Sequence, residues 1–220
     1  MKDSIYLIDS LVENKMLDEE ELKTLLVSSD IKINEYLRKR AEGISAKSFR
    51  NKVFLRGLIE YTNYCKNDCF YCGIRHSNLK IERYALNKKE IMNCCHYAYE
   101  AGLRTFVIQG GEDEALSDEW LVELIRDIKS EYPDCAVTLS IGEKSRESLE
   151  AYFKAGADRY LLRHETATEE HYRKLHPESQ ELKNRMACID DLKEIGFQFG
   201  AGFMVGSPFQ TVEHLVNDFA

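Results

Sequence analysis

From Val53 onward the chain alternates short apolar runs with amphipathic segments, and that alternation leaves few folds open. Five strand-like runs follow one another: Val53–Tyr61, Arg104–Gln109, Ala136–Ile141, Asp158–Arg163 and Phe197–Val205. A helical pattern follows each. Asn87, with Glu90 three residues on, reads as a capping box, and Gly102 as the stop of that helix. Ser117 opens a helix with Trp120, Leu121, Leu124, Ile125 and Ile128 on one face. Another runs from Ser145 to Gly156, helical turns fill the stretch to Gly196, and Thr211 opens the last. Repeated βα units of this spacing imply a parallel sheet, and the expected class is an α/β chain forming part of a (β/α) TIM-type barrel. Eight such units need on the order of 250 residues. About five are present here, and the sequence stops at Ala220 inside a helical pattern. The chain therefore reads as a barrel that is C-terminally incomplete, a fragment or truncated product.

Residues 1–50 differ. Leu7, Leu11 and Met16, then Leu22, Leu25 and Leu26, recur at helical spacing, and Asp18 precedes an acidic first turn. A third helical pattern covers Ile31–Ala46. The expected organisation is a helical N-terminal segment, 1–50, followed by a partial barrel, 51–220. The 220 residues are 44% hydrophobic and 31% charged, enough for one sizeable core. A net charge of −8 argues against general nucleic-acid binding, and no run is apolar enough to span a membrane.

The first strand runs into Asn63-Tyr-Cys-Lys-Asn-Asp-Cys-Phe-Tyr-Cys-Gly73. Cys65, Cys69 and Cys72 form a C-x3-C-x2-C triad on the loop at a strand's C-terminal end, where α/β enzymes keep their active sites. Three thiolates hold three irons of a [4Fe–4S] cluster and leave the fourth free for an external ligand. A zinc site with His76 as fourth ligand is the competing reading, although paired C-x2-C sets are usual there. A disulfide framework fits poorly with seven cysteines and no signal peptide. Cys94, Cys95, Cys135 and Cys188 read as buried structural thiols. Reduced cysteines and a cluster imply the cytoplasm.

Each later strand also ends in unusual residues. The second ends in Gln109-Gly-Gly-Glu-Asp113, which gives a ligand close approach to backbone and a carboxylate for an ammonium, or is simply a turn with an acidic cap. The third puts Thr138 and Ser140 on one face, lining an interior or serving as ordinary strand residues. The fourth ends in Leu161-Leu-Arg-His-Glu-Thr166, a functional cluster or an exposed salt bridge. Arg185, on the next helix, either pairs with a carboxylate or faces solvent. The fifth, Gly200-Ala-Gly-Phe-Met-Val-Gly206, leaves room beside a ligand or packs tightly on a helix.

Taken together, Cys65-x3-Cys69-x-Tyr71-Cys72 and Gly110-Gly-Glu112 resemble the radical S-adenosylmethionine (SAM) superfamily. Arg56-Gly-Leu-Ile-Glu60, Thr138-Leu-Ser-Ile-Gly-Glu143, Ala155–Ala167 and Asn184-Arg185 extend the resemblance over nearly the whole chain, toward the [FeFe]-hydrogenase maturase branch. The resemblance implies an enzyme that cleaves SAM reductively to a 5′-deoxyadenosyl radical during assembly of the hydrogenase di-iron site. It implies cluster binding by Cys65, Cys69 and Cys72. Tyr71 would lie near the adenine, and Gly110, Gly111 and Glu112 would hold the methionine amino group. Ser140, Glu165 and Arg185 would be further SAM contacts. Thr138 and Arg163 would face the substrate, a small iron–carbonyl–cyanide species. A ferredoxin- or flavodoxin-like electron donor and other hydrogenase maturation proteins are the implied partners. The branches of methylornithine synthase and biotin synthase are alternatives, as is a truncated fragment that binds a cluster without turnover. Ser207 and Phe209 depart from the family's usual Leu and Gly, and Phe209 is expected to alter the turn after the fifth strand.

Overall fold

The computed structural model describes residues 3–14 and 16–219; Ala220, where the sequence pattern stops, lies outside them. Two compact units emerge. One gathers the chain up to Phe54, Thr166–Thr168 and the residues from Val205; the other holds Leu55–Glu165 and Glu169–Met204.

In the first unit, α1 (Ser4–Asn14), α2 (Glu19–Leu26) and α3 (Ile31–Phe49) are joined by α9 (Val212–Phe219). Asp18 starts α2 with a capping box: its side chain accepts from the Glu21 amide at 2.8 Å, and the Glu21 carboxylate accepts from the Asp18 amide at 3.3 Å. Leu7, Ile8 and Leu25 form a small core. Lys23 reaches Glu213 of α9 at 2.7 Å. Phe209 has φ 65°, in the left-handed region that favours glycine, so the turn there does carry a conformation unusual for its side chain.

The second unit is a five-stranded sheet, all parallel, in the order of the sequence: β1 (Gly57–Thr62), β2 (Thr105–Gly110), β3 (Ala136–Ser140), β4 (Arg159–Leu161) and β5 (Gln198–Gly200). Between them run α4 (Lys88–Glu100), α5 (Asp118–Glu131), α6 (Arg146–Ala155), α7 (Glu169–Leu175) and α8 (Leu182–Ile195). Strand order that never reverses is the winding of a (β/α) barrel, here over five units. The alternation of strand side chains sets up two unlike faces. Ile59, Tyr61, Phe106, Ile108, Val137, Leu139 and Tyr160 point one way and are buried with Leu124, Ile125 and Ile128 of α5 and with Leu149, Tyr152, Ile189 and Leu192 of α6 and α8. Each fully buried Leu or Ile contributes about 1.5–3 kcal/mol. The other face carries Glu60, Gln109, Thr138, Ser140, Arg159 and Gln198. There Gln109 donates to Glu60 at 3.2 Å and Arg159 to Thr105 at 3.2 Å. This is the inner face of the partial barrel.

The expected caps form. Asn87 and Glu90 close their box at 3.1 and 2.7 Å, Ser117 accepts from Trp120 at 3.3 Å, and Gly156 ends α6 with φ 112°. Three strands are shorter than their apolar runs. Val53, Phe54 and Leu55 precede β1 and are exposed. The β4–β5 ladder ends at Leu161 and Gly200, four residues before Glu165, which takes φ 68°, in the left-handed region. Beyond it the pairing survives as single hydrogen bonds, Glu165 N–H to the Gly202 carbonyl at 3.1 Å and Met204 N–H to the Glu165 carbonyl at 2.9 Å. No helix among the described residues is long and apolar enough to cross a membrane.

Candidate functional site

The C-terminal ends of β1–β4 open on a cavity of ≈ 570 Å³. It is lined by Cys65, Cys69, Cys72 and Tyr71 from the loop after β1, and by Gly110, Gly111 and Glu112 from the end of β2. Ser140, Arg163, Glu165 and Arg185 are also in its wall. These eleven positions are separated by up to 120 residues in the chain yet meet in one space. Thr138 does not line it. It sits two residues before Ser140 on the same face, 8% exposed, with its hydroxyl lacking a hydrogen-bond partner.

The cysteine loop is held by its backbone. Lys66 N–H donates to the Glu112 carbonyl at 3.0 Å, Gly111 N–H to the Thr62 carbonyl at 3.3 Å, and Cys72 N–H to the Cys69 carbonyl at 3.0 Å. A methyl on Gly111 would sit 2.1 Å from the Tyr64 carbonyl oxygen, and one on Gly110 would sit 2.7 Å from the Tyr61 ring. The glycine pair is thus what lets the β2 end lie flush against the cysteine loop. All three cysteines are half-buried free thiols. Burial pushes the Cys65 and Cys69 thiols up, and backbone amides of Asn67 and Glu112 oppose it at Cys65.

A charged chain runs from the cysteine loop to Arg185. Glu112 Oε2 lies 3.6 Å from Lys66 Nζ, and Glu112 Oε1 accepts from the Glu143 amide at 3.1 Å. Glu143 Oε1 in turn lies 2.6 Å from Arg185 Nε, an ion pair by distance whose N–H is not aligned for a hydrogen bond. Arg185 is 7% exposed and donates to the Arg163 carbonyl at 3.3 Å, so it is no solvated helix residue. Burial drives the Glu143 carboxyl up, more strongly than Arg185 holds it down. For Arg185, burial pulls the other way, but Glu143 and neighbouring acidic groups keep its pKa above the usual value. Gly142, at φ 81°, makes room for this chain, since a Cβ there would meet Glu112 Cγ at 2.2 Å. Glu165 pairs with Arg163 at 3.4 Å. The arginine is largely exposed, whereas Glu165 is 5% exposed and leaves Oε2 buried without a partner. A buried carboxylate in left-handed backbone is a strained arrangement of the kind found where a ligand is handled.

These donors fit the cluster and the sulfonium cofactor better than a single ion. Among the described residues, no three His, Cys, Asp or Glu side chains converge closely enough to hold one metal ion, and His76 is not in the cavity wall. A cluster spreads its ligands over several irons. The unpartnered Glu165 Oε2 and the Gly110–Gly111 cradle beside three thiols are the features a cluster with a polar amino-acid ligand would use.

Sequence reasoning left Glu143, Gln180, His176 and Arg83 without roles. Arg83 is the anchor of the loop after the triad. Its guanidinium donates to the Ile74, Arg75 and Asn78 carbonyls at 2.9, 2.7 and 3.3 Å and also to the Asn63 carbonyl. Replacing it leaves several part-buried carbonyls unpaired, so Arg83→Met should lower stability by about 3 kcal/mol. Urea unfolding of the metal-free protein measures this; a loss under about 1 kcal/mol would show the loop is held by its own turns.

Residues 59–220 match the profile of the Radical SAM superfamily. The chain is 41% identical over 207 residues to the [FeFe] hydrogenase maturase subunit HydE of Thermotoga maritima, covering 94% of this chain and 59% of that protein. It is 30% identical over 200 residues to 3-methylornithine synthase of Methanosarcina acetivorans, covering 90% of this chain and 56% of that one. The crystal structure of methylornithine synthase (PylB) superposes with a TM-score of 0.88 at 28% identity, over 96% of this chain and 62% of that one. The chain thus spans a little over half the length of the curated relatives it matches. Enzymes of the matched family use a [4Fe–4S] cluster and SAM. With three cysteines and a Gly-Gly-Glu loop meeting at the strand ends, and a family match over most of its length, the chain belongs to the radical SAM superfamily.

Proposed function

We propose that this protein is a radical SAM enzyme of [FeFe]-hydrogenase maturation, with residues 51–220 carrying the site and residues 1–50 leading into it. One observation carries the reading: three thiols, the Gly110-Gly111-Glu112 turn and Arg185, itself paired with Glu143 outside the lining, border a single cavity. When bound, the cluster and SAM supply a one-electron reductive cleavage that yields methionine and a 5′-deoxyadenosyl radical.

The chain's own residues bind, orient and shield. Cys65, Cys69 and Cys72 hold the cluster. Glu112, fixed by the Glu143 amide, accepts from the methionine ammonium, and the glycines before it keep the backbone close. Arg185 supplies positive charge for the carboxylate side, and Glu165 and Ser140 offer acceptors for hydroxyl or ammonium groups. Tyr71, on the edge of the cavity, stacks near the adenine. Arg163, on the cavity wall, meets the substrate and suits an anionic iron–carbonyl–cyanide species, while Thr138 lies deeper on the same inner face, two residues before Ser140. A ferredoxin- or flavodoxin-like protein delivers the electron, and other maturation proteins receive the product. The 30% identity to a methylornithine synthase favours a second reading, in which the same machinery rearranges an amino acid.

Anaerobic reconstitution tests the proposal. The expected result is about four irons per chain and 5′-deoxyadenosine release with dithionite. Cys69→Ala should lose both. Zinc in place of iron, or a cluster without SAM cleavage, overturns it. Formation of methylornithine would select the second reading.

A further inference from the structure

The end of α7 and the segment after it reach back to the cysteine loop at three points. Phe70 N–H donates to the Leu175 carbonyl at 3.0 Å. Tyr71 Oη lies 3.1 Å from His176 Nε2, and His176 Nδ1 lies 3.0 Å from the Tyr172 carbonyl. Cys69 Sγ lies 3.3 Å from Gln180 Oε1. A carbonyl only accepts, so His176 carries its proton on Nδ1, and Nε2 accepts from the Tyr71 hydroxyl. The His176 ring is 2% exposed, stacks on Tyr172 at 3.8 Å and meets Tyr71 edge-on at 5.3 Å. Gln180 itself is half-buried, in a turn closed by its own N–H to the Pro177 carbonyl at 2.9 Å, and it sits just before α8, the helix of Arg185.

The sulfur that Gln180 faces has two chemical states. As a thiol, Cys69 donates to the amide oxygen, the arrangement in the structure. As a cluster ligand it is a thiolate with no proton to give. An amide oxygen against it would be repelled, and half a turn of the side chain brings the –NH2 group to the same spot. An N–H donated to a ligand sulfur favours the reduced, more negative cluster over the oxidised one. We propose that Gln180 is a positioning residue for the cluster, donating from its side-chain amide to the Cys69 sulfur and so raising the reduction potential. This rests on the reading that the triad holds a [4Fe–4S] cluster. Gln180 is held in reach by the same segment that fixes Tyr71 through His176, so one stretch of chain sets both the potential and the pose of the adjacent aromatic.

The test is an EPR-monitored redox titration of the reconstituted protein. One charge-assisted hydrogen bond corresponds to about a tenfold change in the reduction equilibrium. Gln180→Leu should therefore lower the midpoint by about 59 mV for one electron. Gln180→Glu, which sets a carboxylate against the sulfur, should lower it further. Midpoints equal to the parent's in both variants overturn the proposal. So does failure of both to take up iron while their circular dichroism is unchanged, since the residue would then serve assembly rather than potential. Failure of the parent to bind four irons is a different result: it sinks the cluster reading itself, before any variant is compared.

Discussion

Gly111→Ala should cost the site most of its iron while Gly73→Ala, eight residues after Cys65, leaves it loaded. The two glycines belong to the same cavity wall but differ in what surrounds them. A Cβ on Gly111 would lie 2.1 Å from the Tyr64 carbonyl oxygen, 2.7 Å from Cys65 Cβ and 2.9 Å from the Tyr64 carbonyl carbon. None of these is the end of a flexible side chain. Two are backbone atoms of Tyr64 and the third is the first side-chain carbon of Cys65, the residue that must present a thiolate. Relief therefore requires the cysteine loop and the end of β2 to separate, which also breaks the Gly111 N–H bond to the Thr62 carbonyl and the Lys66 N–H bond to the Glu112 carbonyl. The expected destabilisation is about 3 kcal/mol, at the upper end for overpacking. Iron content after anaerobic reconstitution should fall several-fold. Nothing lies within 4 Å of a Cβ on Gly73, so its alanine variant should keep nearly full iron. Equal iron in both variants would falsify the view that the flush packing of Gly111 sets the cysteine geometry.

The features that could be read in advance were those with a local chemical signature. Cysteine spacing singled out the loop that borders the cavity, and short apolar runs marked β2 and β3, whose Phe106, Ile108, Val137 and Leu139 are buried. Asn87, Ser117 and Ser145 announced their helices because capping is settled within three residues. The missed residues act across distance. Gln180 meets Cys69 from 111 positions away, and His176 meets Tyr71 from 105, out of a connection with no periodicity to mark it. Arg83 works through backbone carbonyls, which any sequence supplies equally. Glu143 gains its role only because Gly142 lets Glu112 approach. The apolar runs at 53–56 and 201–205 overextended their strands because hydrophobicity marks what prefers burial, whereas a strand ends where regular backbone pairing ends, for β4 and β5 at Leu161 and Gly200. Thr138 was expected to share the cavity with Ser140. Alternation gives the two a common face but not a common depth, and only Ser140 reaches the strand ends.

Arg185→Met should damage the protein in a way that depends on pH. The methionine fills much of the same volume, so little packing is lost, but Glu143 loses the guanidinium 2.6 Å away. Its carboxyl is already pushed up by burial with that charge present, and without it the folded-state pKa must rise further. A carboxyl whose folded pKa lies above its unfolded value makes the folded state bind more protons than the unfolded one. Its penalty is absent below the unfolded pKa, about 4.3, and grows as pH rises through the folded pKa. The variant should therefore lose more stability at pH 8 than at pH 5. The loss at pH 8 should be about 3 kcal/mol, the low end for a broken buried pair, because the Glu143 side chain keeps 29% exposure. Glu143→Gln added to Arg185→Met should remove the pH dependence by removing the proton in question. Binding of SAM to the reconstituted protein should weaken by about ten- to a hundredfold in Arg185→Met, the worth of one charge-assisted contact to a carboxylate. Urea titrations of the metal-free proteins at the two pH values separate the structural effect from the ligand effect. A stability loss equal at pH 5 and pH 8 would mean that Glu143 finds another partner when Arg185 is gone, and Lys66, joined to it through Glu112, is the cation in that charged chain to test next.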